Sequence, residues 1–178
     1  MPLRPIPTDV SPSRDELGRR AAAHVVKLLQ GILATQPRAR VVFACAPSQN
    51  EFLAALITQS QSVIDWSHID GFHMDEYIGL RAKHPASFRT YLKQHFLDHV
   101  PLGSFAEIHG EALDAEAEAT RYASLLSAAP IDLICLGIGE NGHIAFNDPS
   151  VADFDDPQLV KVVHLDHACR QHQLNDGC

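Results

Sequence analysis

The sequence predicts an α/β fold: a Rossmann-like layered domain with a mostly parallel sheet and helices on both faces. Three observations carry that prediction. Short apolar runs, several rich in β-branched residues, recur along the chain. Segments with apolar residues at helical spacing alternate with them. Ser, Asp and Pro stand at the boundaries where helices should start and stop. Such alternation belongs to parallel sheets, because two parallel strands need a crossover between them, usually a helix.

The segment SPSRDELGRRAAAHVVKLLQGILATQ reads as the first helix. Ser11 or Ser13 can cap it, and acids occupy its first turn. Leu17, Ala21, Val25, Leu28, Leu29 and Ile32 fall on one face, and Pro37 ends it. RVVFACA, residues 40–46, is short and apolar and reads as a buried strand. PSQNEFLAALITQ follows at once. There Ser48 and Glu51 make an S-x-x-E capping-box pattern ahead of an apolar run. HIDGFHMDEYIGL has a strand-like first half that ends in two acids. HPASFRTYLKQHFLDHV reads as a helix with Phe88, Leu92, Phe96 and Val100 on one side. SFAEIHGE is a short extended piece. LDAEAEATRYASLLSAAP is a helix capped by Asp114 and stopped by Pro130. IDLICLGIG reads as the most deeply buried strand, QLVKVVHL as another strand, and DHACRQHQ as a helix start.

With 178 residues, 46% apolar and 20% charged, a single domain spanning 1–178 with one sizeable core is expected. The chain ends at NDGC, just after that last helix start, and so reads as C-terminally truncated. A net charge of -8 argues against nucleic-acid binding, which needs a basic face. The proline-rich start MPLRPIPTDV lacks the apolar run of a signal peptide, and no run approaches membrane-spanning length. Cys45 and Cys135 lie in apolar runs and read as small buried hydrophobes; Cys169 and Cys178 complete the set, with no CxxC spacing. A reduced, cytoplasmic protein is expected.

In open α/β sheets, ligands bind at the carboxyl ends of the strands. Three loops fall there. Residues 46–50 lead into a helix N-terminus, whose free N–H groups suit a phosphate. Ala46, Ser48 and Gln49 are candidates for holding it, although Ser48 could simply cap the helix. In residues 73–79, Asp75 and Glu76 are adjacent, so on an extended backbone they point opposite ways. One could serve as a general base in the cleft while the other is solvated or structural. Residues 137–149 hold Gly137, Gly139 and Gly142, which allow close backbone approach. GIGENG matches the dinucleotide string G-x-G-x-x-G, but no long helix follows it, which argues against a nicotinamide cofactor. His143 comes next, flanked by Glu140, Asn141 and Asp148, which could orient a proton-transferring imidazole or merely hold a loop histidine.

At these residues the chain resembles a known family. FHMDEYIGL with HPASFRTYL, and LICLGIGENGHIAFNDP, are similar to the glucosamine-6-phosphate deaminases. That group also contains the 6-phosphogluconolactonases. The lactonase branch usually carries an arginine after the paired acids and a DGHTAS-like string after the glycines, so DEY and GHIAFN favour the deaminase branch. The resemblance runs from VVFACAPSQ to CRQHQLNDG.

The resemblance implies roles. Asp75 would move a proton between C1 and C2 of an amino sugar phosphate, and His143 would open the pyranose ring at O5. Asn141 and Asp148 match the positions that orient that histidine, and Ser48 with nearby amides matches the phosphate loop. No metal or organic cofactor is implied, and the partner is a small sugar phosphate. Family members form oligomers, which leaves room for a homo-oligomer here. There are departures. Asp148 stands where well-studied members carry glutamate, and Asn141 where some carry aspartate. The phosphate loop lacks the family's paired glycines and threonine. Basic allosteric residues are not evident in SVADFDDPQLVK. The family's chain continues past residue 178, with further strands and a phosphate-binding lysine. These departures admit galactosamine 6-phosphate as substrate; beside the expected conversion of glucosamine 6-phosphate to fructose 6-phosphate and ammonia, a lactonase and a sugar-phosphate sensor without turnover are the rival readings.

Overall fold

A computed structural model describes residues 6–139 and 141–165. Four strands form one sheet: β1 (Ala39–Phe43), β2 (Ile69–His73), β3 (Ser104–Ala106) and β4 (Leu133–Cys135). All neighbours are parallel, in the order β3-β2-β1-β4. Helices α1 (Arg14–Leu33), α2 (Asn50–Ser60), α3 (Phe88–Leu92) and α4 (Ala115–Ser127) connect and flank them. The chain is therefore an α/β fold, as the alternation predicts.

Alternate residues of a strand face opposite sides, and the two cores follow that rule. Val41 and Phe43 of β1 meet Leu29 of α1, Leu53 of α2 and Phe96 on one face. Val42 and Phe72 meet Tyr122 of α4 on the other. Helices thus cover both faces. The caps at Ser13 and Asp114 form as expected, accepting from the Glu16 and Ala117 amides. Phe88, Leu92, Phe96 and Val100 are all buried. Their strict four-residue spacing outruns an α-helix of 3.6 residues per turn. The helix accommodates it by continuing past Leu92 as a π-turn over Lys93–Leu97.

Several expectations are corrected. The buried face of α1 is Gly18, Ala22, Val25 and Leu29, while Leu17 and Leu28 are exposed. Gly18 decides this: a β-carbon there would lie 2.7 Å from the Glu51 carbonyl carbon, so α2 crosses α1 against bare backbone. Ser48 and Glu51 form no capping box. Residues Pro47–Gln49 make a single 3-10 turn, and neither it nor α2 has a side-chain cap. Glu51 instead takes a bidentate pair from Arg14, with both bonds at 2.8 Å, which pulls its carboxyl down to about 2. Among the described residues, β4 stands at the edge of the sheet rather than being the most buried strand, and Ile134 is half exposed. QLVKVVHL forms no strand, because residues 158–165 enter no backbone ladder that would make it one. The predicted helix at DHACRQHQ, with Cys169 and Cys178, lies outside the described residues, as does Glu140. Among the described residues, no helix is long and apolar enough to cross a membrane.

Candidate active site

The strand order places the site. The chain steps outward from β1 to β2 to β3, then returns to the far side of β1 for β4. The connections diverge between β1 and β4, and open α/β sheets hold ligands beyond the carboxyl ends of strands at such a point. Here the loop after β1 meets the loop after β4. The Ala44 amide donates to the Cys135 carbonyl at 2.9 Å. A β-carbon on Gly137 would sit 3.2 Å from Gln49 Nε2 and 3.7 Å from Ser48 Oγ. Gly137 thus gives the first loop room. Gln49 is buried, while Ser48 is exposed and caps nothing. The Ala46 carbonyl is taken, since Tyr91 Oη donates to it at 2.6 Å.

The second loop gives its two acids different surroundings. Glu76 turns inward, with its side chain fully buried. It accepts from the Tyr77 amide at 2.9 Å, Ser87 Oγ at 2.7 Å, the Phe88 amide at 3.2 Å, and Arg89 Nε at 3.2 Å. Arg89 is buried too, and its other arm reaches Glu111 at 2.6 Å and the Leu80 carbonyl at 2.9 Å. Asp75 is the other acid of the pair. Burial, aided by the charge of Glu76, pushes its carboxyl from 3.8 up to about 7. Such a group changes protonation near neutrality, which suits a general base.

His73, at the end of β2, is a different kind of histidine. Its Nε2 accepts the Ile108 amide at 2.7 Å, which assigns the ring proton to Nδ1. Burial drives its pKa down to about 3, so it stays neutral. Tyr122 locks the same residue: its hydroxyl accepts the His73 amide at 3.0 Å and donates to the His73 carbonyl at 2.9 Å. His73 therefore closes the strand end and anchors the loop that carries Asp75.

The third loop folds around His143. Its Nδ1 lies 2.6 Å from Asn141 Oδ1 and 3.4 Å from Asp148 Oδ1. Asn141 Nδ2 in turn donates to Asp148 Oδ1 at 3.0 Å. Asp148 is fully buried. Since Asn141 Oδ1 can only accept, the network assigns a proton to His143 Nδ1 and leaves the Nε2 lone pair available. Gly142 adopts a φ of +87°, the left-handed region that favours glycine. Gly139 has no positive φ. The imidazole packs on its bare α-carbon, and its amide donates to the His143 carbonyl at 2.9 Å. The loops after β2 and β4 also meet, through Phe146. Its ring centroid lies 5.2 Å from that of Tyr77 and 5.7 Å from that of Phe88.

The structure thus gathers Ser48, Gln49 and Gly137 at one contact, and Gly139, Asn141, His143 and Asp148 at another. Sequence reasoning missed Arg89, Ser87 and the aromatic contacts, and left Glu76 without an assignment. A serine and an arginine directly flanking a phenylalanine at a helix start were the available signal. Among the described residues, no three His, Cys, Asp or Glu side chains are grouped so as to hold a metal ion.

Comparison with known proteins identifies the family. The family model for glucosamine-6-phosphate isomerases and 6-phosphogluconolactonase matches residues 12–167. The chain belongs to this family. A glucosamine-6-phosphate deaminase of Bacillus cereus is 32% identical over 148 residues, covering 83% of this chain and 54% of the relative. That of Exiguobacterium is 46% identical over 92 residues, 52% of this chain and 36% of the relative. The chain spans about half the length of the curated relatives it matches, or less. Among solved structures, a monomeric glucosamine-6-phosphate deaminase superposes with a TM-score of 0.79 at 30% identity, covering 90% of this chain and 65% of that one. A 6-phosphogluconolactonase from Shewanella baltica gives 0.63 at 25% identity, covering 74% and 56%. Both branches of the family therefore share this fold.

Proposed function

We propose that this chain carries the acid–base centre of a hexosamine-6-phosphate deaminase–isomerase, which turns glucosamine 6-phosphate and water into fructose 6-phosphate and ammonia. Two differently prepared groups, one on the loop after β2 and one on the loop after β4, support the reading. Asp75 is a carboxyl poised near neutrality by burial. His143 is an imidazole whose Nδ1 is held by Asn141 and Asp148.

The chemistry asks for two proton carriers. Opening the pyranose moves the proton of the C1 hydroxyl to O5, and the His143 Nε2 lone pair is suited to take it and return it. Isomerisation then moves the C2 proton to C1, and Asp75 is suited to carry it. In the same isomerisation the amine gives up a proton and O1 gains one, so the C1 aldehyde becomes a hydroxyl and the amino carbon an imine. Water adds to it, and ammonia leaves as the C–N bond breaks. Each proton taken is given back, so no oxidant, metal or organic cofactor enters the balance. The N-terminal turn after β1, with Ser48 and Gln49, supports binding of the phosphate end. Galactosamine 6-phosphate is the alternative hexosamine. The substrate class, a charged phosphate ester, fits a cytoplasmic enzyme.

A lactonase reading is favoured by the 6-phosphogluconolactonase neighbour. Hydrolysis of a lactone needs no proton transfer at C2, so it leaves the environment of Asp75 without a purpose. The test is ammonia release from glucosamine 6-phosphate and galactosamine 6-phosphate beside acid release from 6-phosphogluconolactone. Ammonia from either hexosamine supports the deaminase reading. Acid release without ammonia overturns it in favour of the lactonase.

A further inference from the structure

The two loops that carry Asp75 and His143 come from different strands, β2 and β4, which are not neighbours in the sheet. No ladder bond fixes one against the other. Both strands pair with β1, but beyond the strand ends direct contact between the loops comes from side chains, and three aromatic rings stand at that junction.

Tyr77 lies two residues after Asp75, and Phe146 three residues after His143. Their ring centroids are 5.2 Å apart. Phe88, at the start of α3, completes the group, 5.0 Å from Tyr77 and 5.7 Å from Phe146. Tilted rings at these separations attract through their quadrupoles as well as by area buried. The group has a rigid seat. Glu76 accepts the amides of both Tyr77 and Phe88, so one buried carboxylate fixes two of the three rings. The same carboxylate takes Ser87 Oγ and Arg89 Nε, which ties it to the start of α3. On the other side, a single turn joins Phe146 to His143. Asn147 donates from its amide and from Nδ2 to the Ile144 carbonyl, each at 3.1 Å. Ala145 within that turn holds a φ of 55°, a conformation that a non-glycine residue adopts where its surroundings impose it.

We propose that Tyr77, Phe88 and Phe146 form a brace, seated on Glu76, that positions the His143 loop relative to Asp75. These are positioning residues: they act through His143 and Asp75. The proposal rests on the acid–base reading above, because spacing matters only if both groups act on one substrate. A misplacement of about 1 Å is enough to cost on the order of 100-fold in rate.

The test compares Phe146→Leu and Phe146→Tyr with Leu29→Ala, a core substitution in α1 that lies on neither loop. Turnover on glucosamine 6-phosphate is measured together with the 15N resonances of the His143 ring. Phe146→Leu should lower kcat by about 30- to 100-fold with KM within about 3-fold. It should also move the His143 ring nitrogens away from the single Nδ1–H tautomer. Phe146→Tyr should restore both. Leu29→Ala should lower the melting temperature and leave both unchanged. If Phe146→Leu keeps kcat and the tautomer signals, the brace is only core packing and the proposal fails. If the parent chain releases no ammonia, the function reading fails instead, and the nitrogen resonances alone still decide whether Phe146 holds the histidine.

Discussion

The imidazole of His143 rests on the α-carbon of Gly139. A β-carbon there would fall 2.2 Å from Cε1 and 2.4 Å from Nε2, well inside contact distance. The glycine is therefore the seat of the ring. It follows that Gly139→Ala must push the imidazole off its place. The loop is partly exposed, so the fold should tolerate the change. The expected outcome is a fall of about 100-fold in kcat/KM with a melting temperature within about 2 °C of the parent. Steady-state kinetics and a thermal melt check it.

Asp75 links activity to stability. Its folded-state pKa of about 7 stands above the ordinary 3.8. From about pH 4 to pH 7 the folded protein keeps a proton that the unfolded chain has released. Stability contributed by this group therefore falls with rising pH across that window and is level above it. Asp75→Asn never ionises. At pH 8 it should be more stable than the parent by about 1–3 kcal/mol, and near pH 3.5 the difference should vanish. Urea titrations at the two pH values test this. The same variant should lose deaminase activity, and in the parent the activity should fall as pH drops below about 7.

Asn141 places a neutral carbonyl where a carboxylate would press directly on His143 Nδ1, 2.6 Å away. In Asn141→Asp the new charge would favour the imidazolium, and the fixed proton on Nδ1 would remain. It would also face Asp148, which now accepts from Asn141 Nδ2. The limb of the pH–rate profile that reports the imidazole should move to higher pH by about one unit. An unmoved profile would show that this contact does not govern the histidine.

Arg89 is buried and pairs with two carboxylates, the buried Glu76 and the exposed Glu111. Arg89→Leu leaves Glu76 as a buried charge without its cation. Removing one partner of a buried pair costs about 3–5 kcal/mol. The expected loss of stability lies in that range, read from chemical denaturation. Glu111→Gln, whose acid is largely exposed, should cost no more than about 1 kcal/mol.

The sequence exposes those parts of the molecule that are local. Ser13 and Asp114 cap helices because a cap needs only the next few residues. The 39–43 and 69–73 strands show in their apolar runs for the same reason. What depends on a distant partner was hidden. Gly18 faces inward because α2 crosses there, and no helical wheel contains α2. Glu51 finds Arg14 rather than Ser48, across 37 residues. β4 looks buried by composition, yet a strand's burial is decided by its neighbours. At the site, His143, Asn141 and Asp148 were legible because eight residues span them. The Glu76–Ser87 and Tyr77–Phe146 contacts were not, since each joins separate loops.

The central claim is that Asp75 moves the C2 proton of a hexosamine 6-phosphate. The most direct measurement is the reaction of glucosamine 6-phosphate in D2O, read by mass and NMR at C1 of the fructose 6-phosphate formed. A carboxyl that carries the proton exchanges with solvent, so deuterium should appear at C1 in the parent, and Asp75→Asn should give neither product nor exchange. Ammonia release and C1 deuteration at the parent rate in Asp75→Asn would contradict the account.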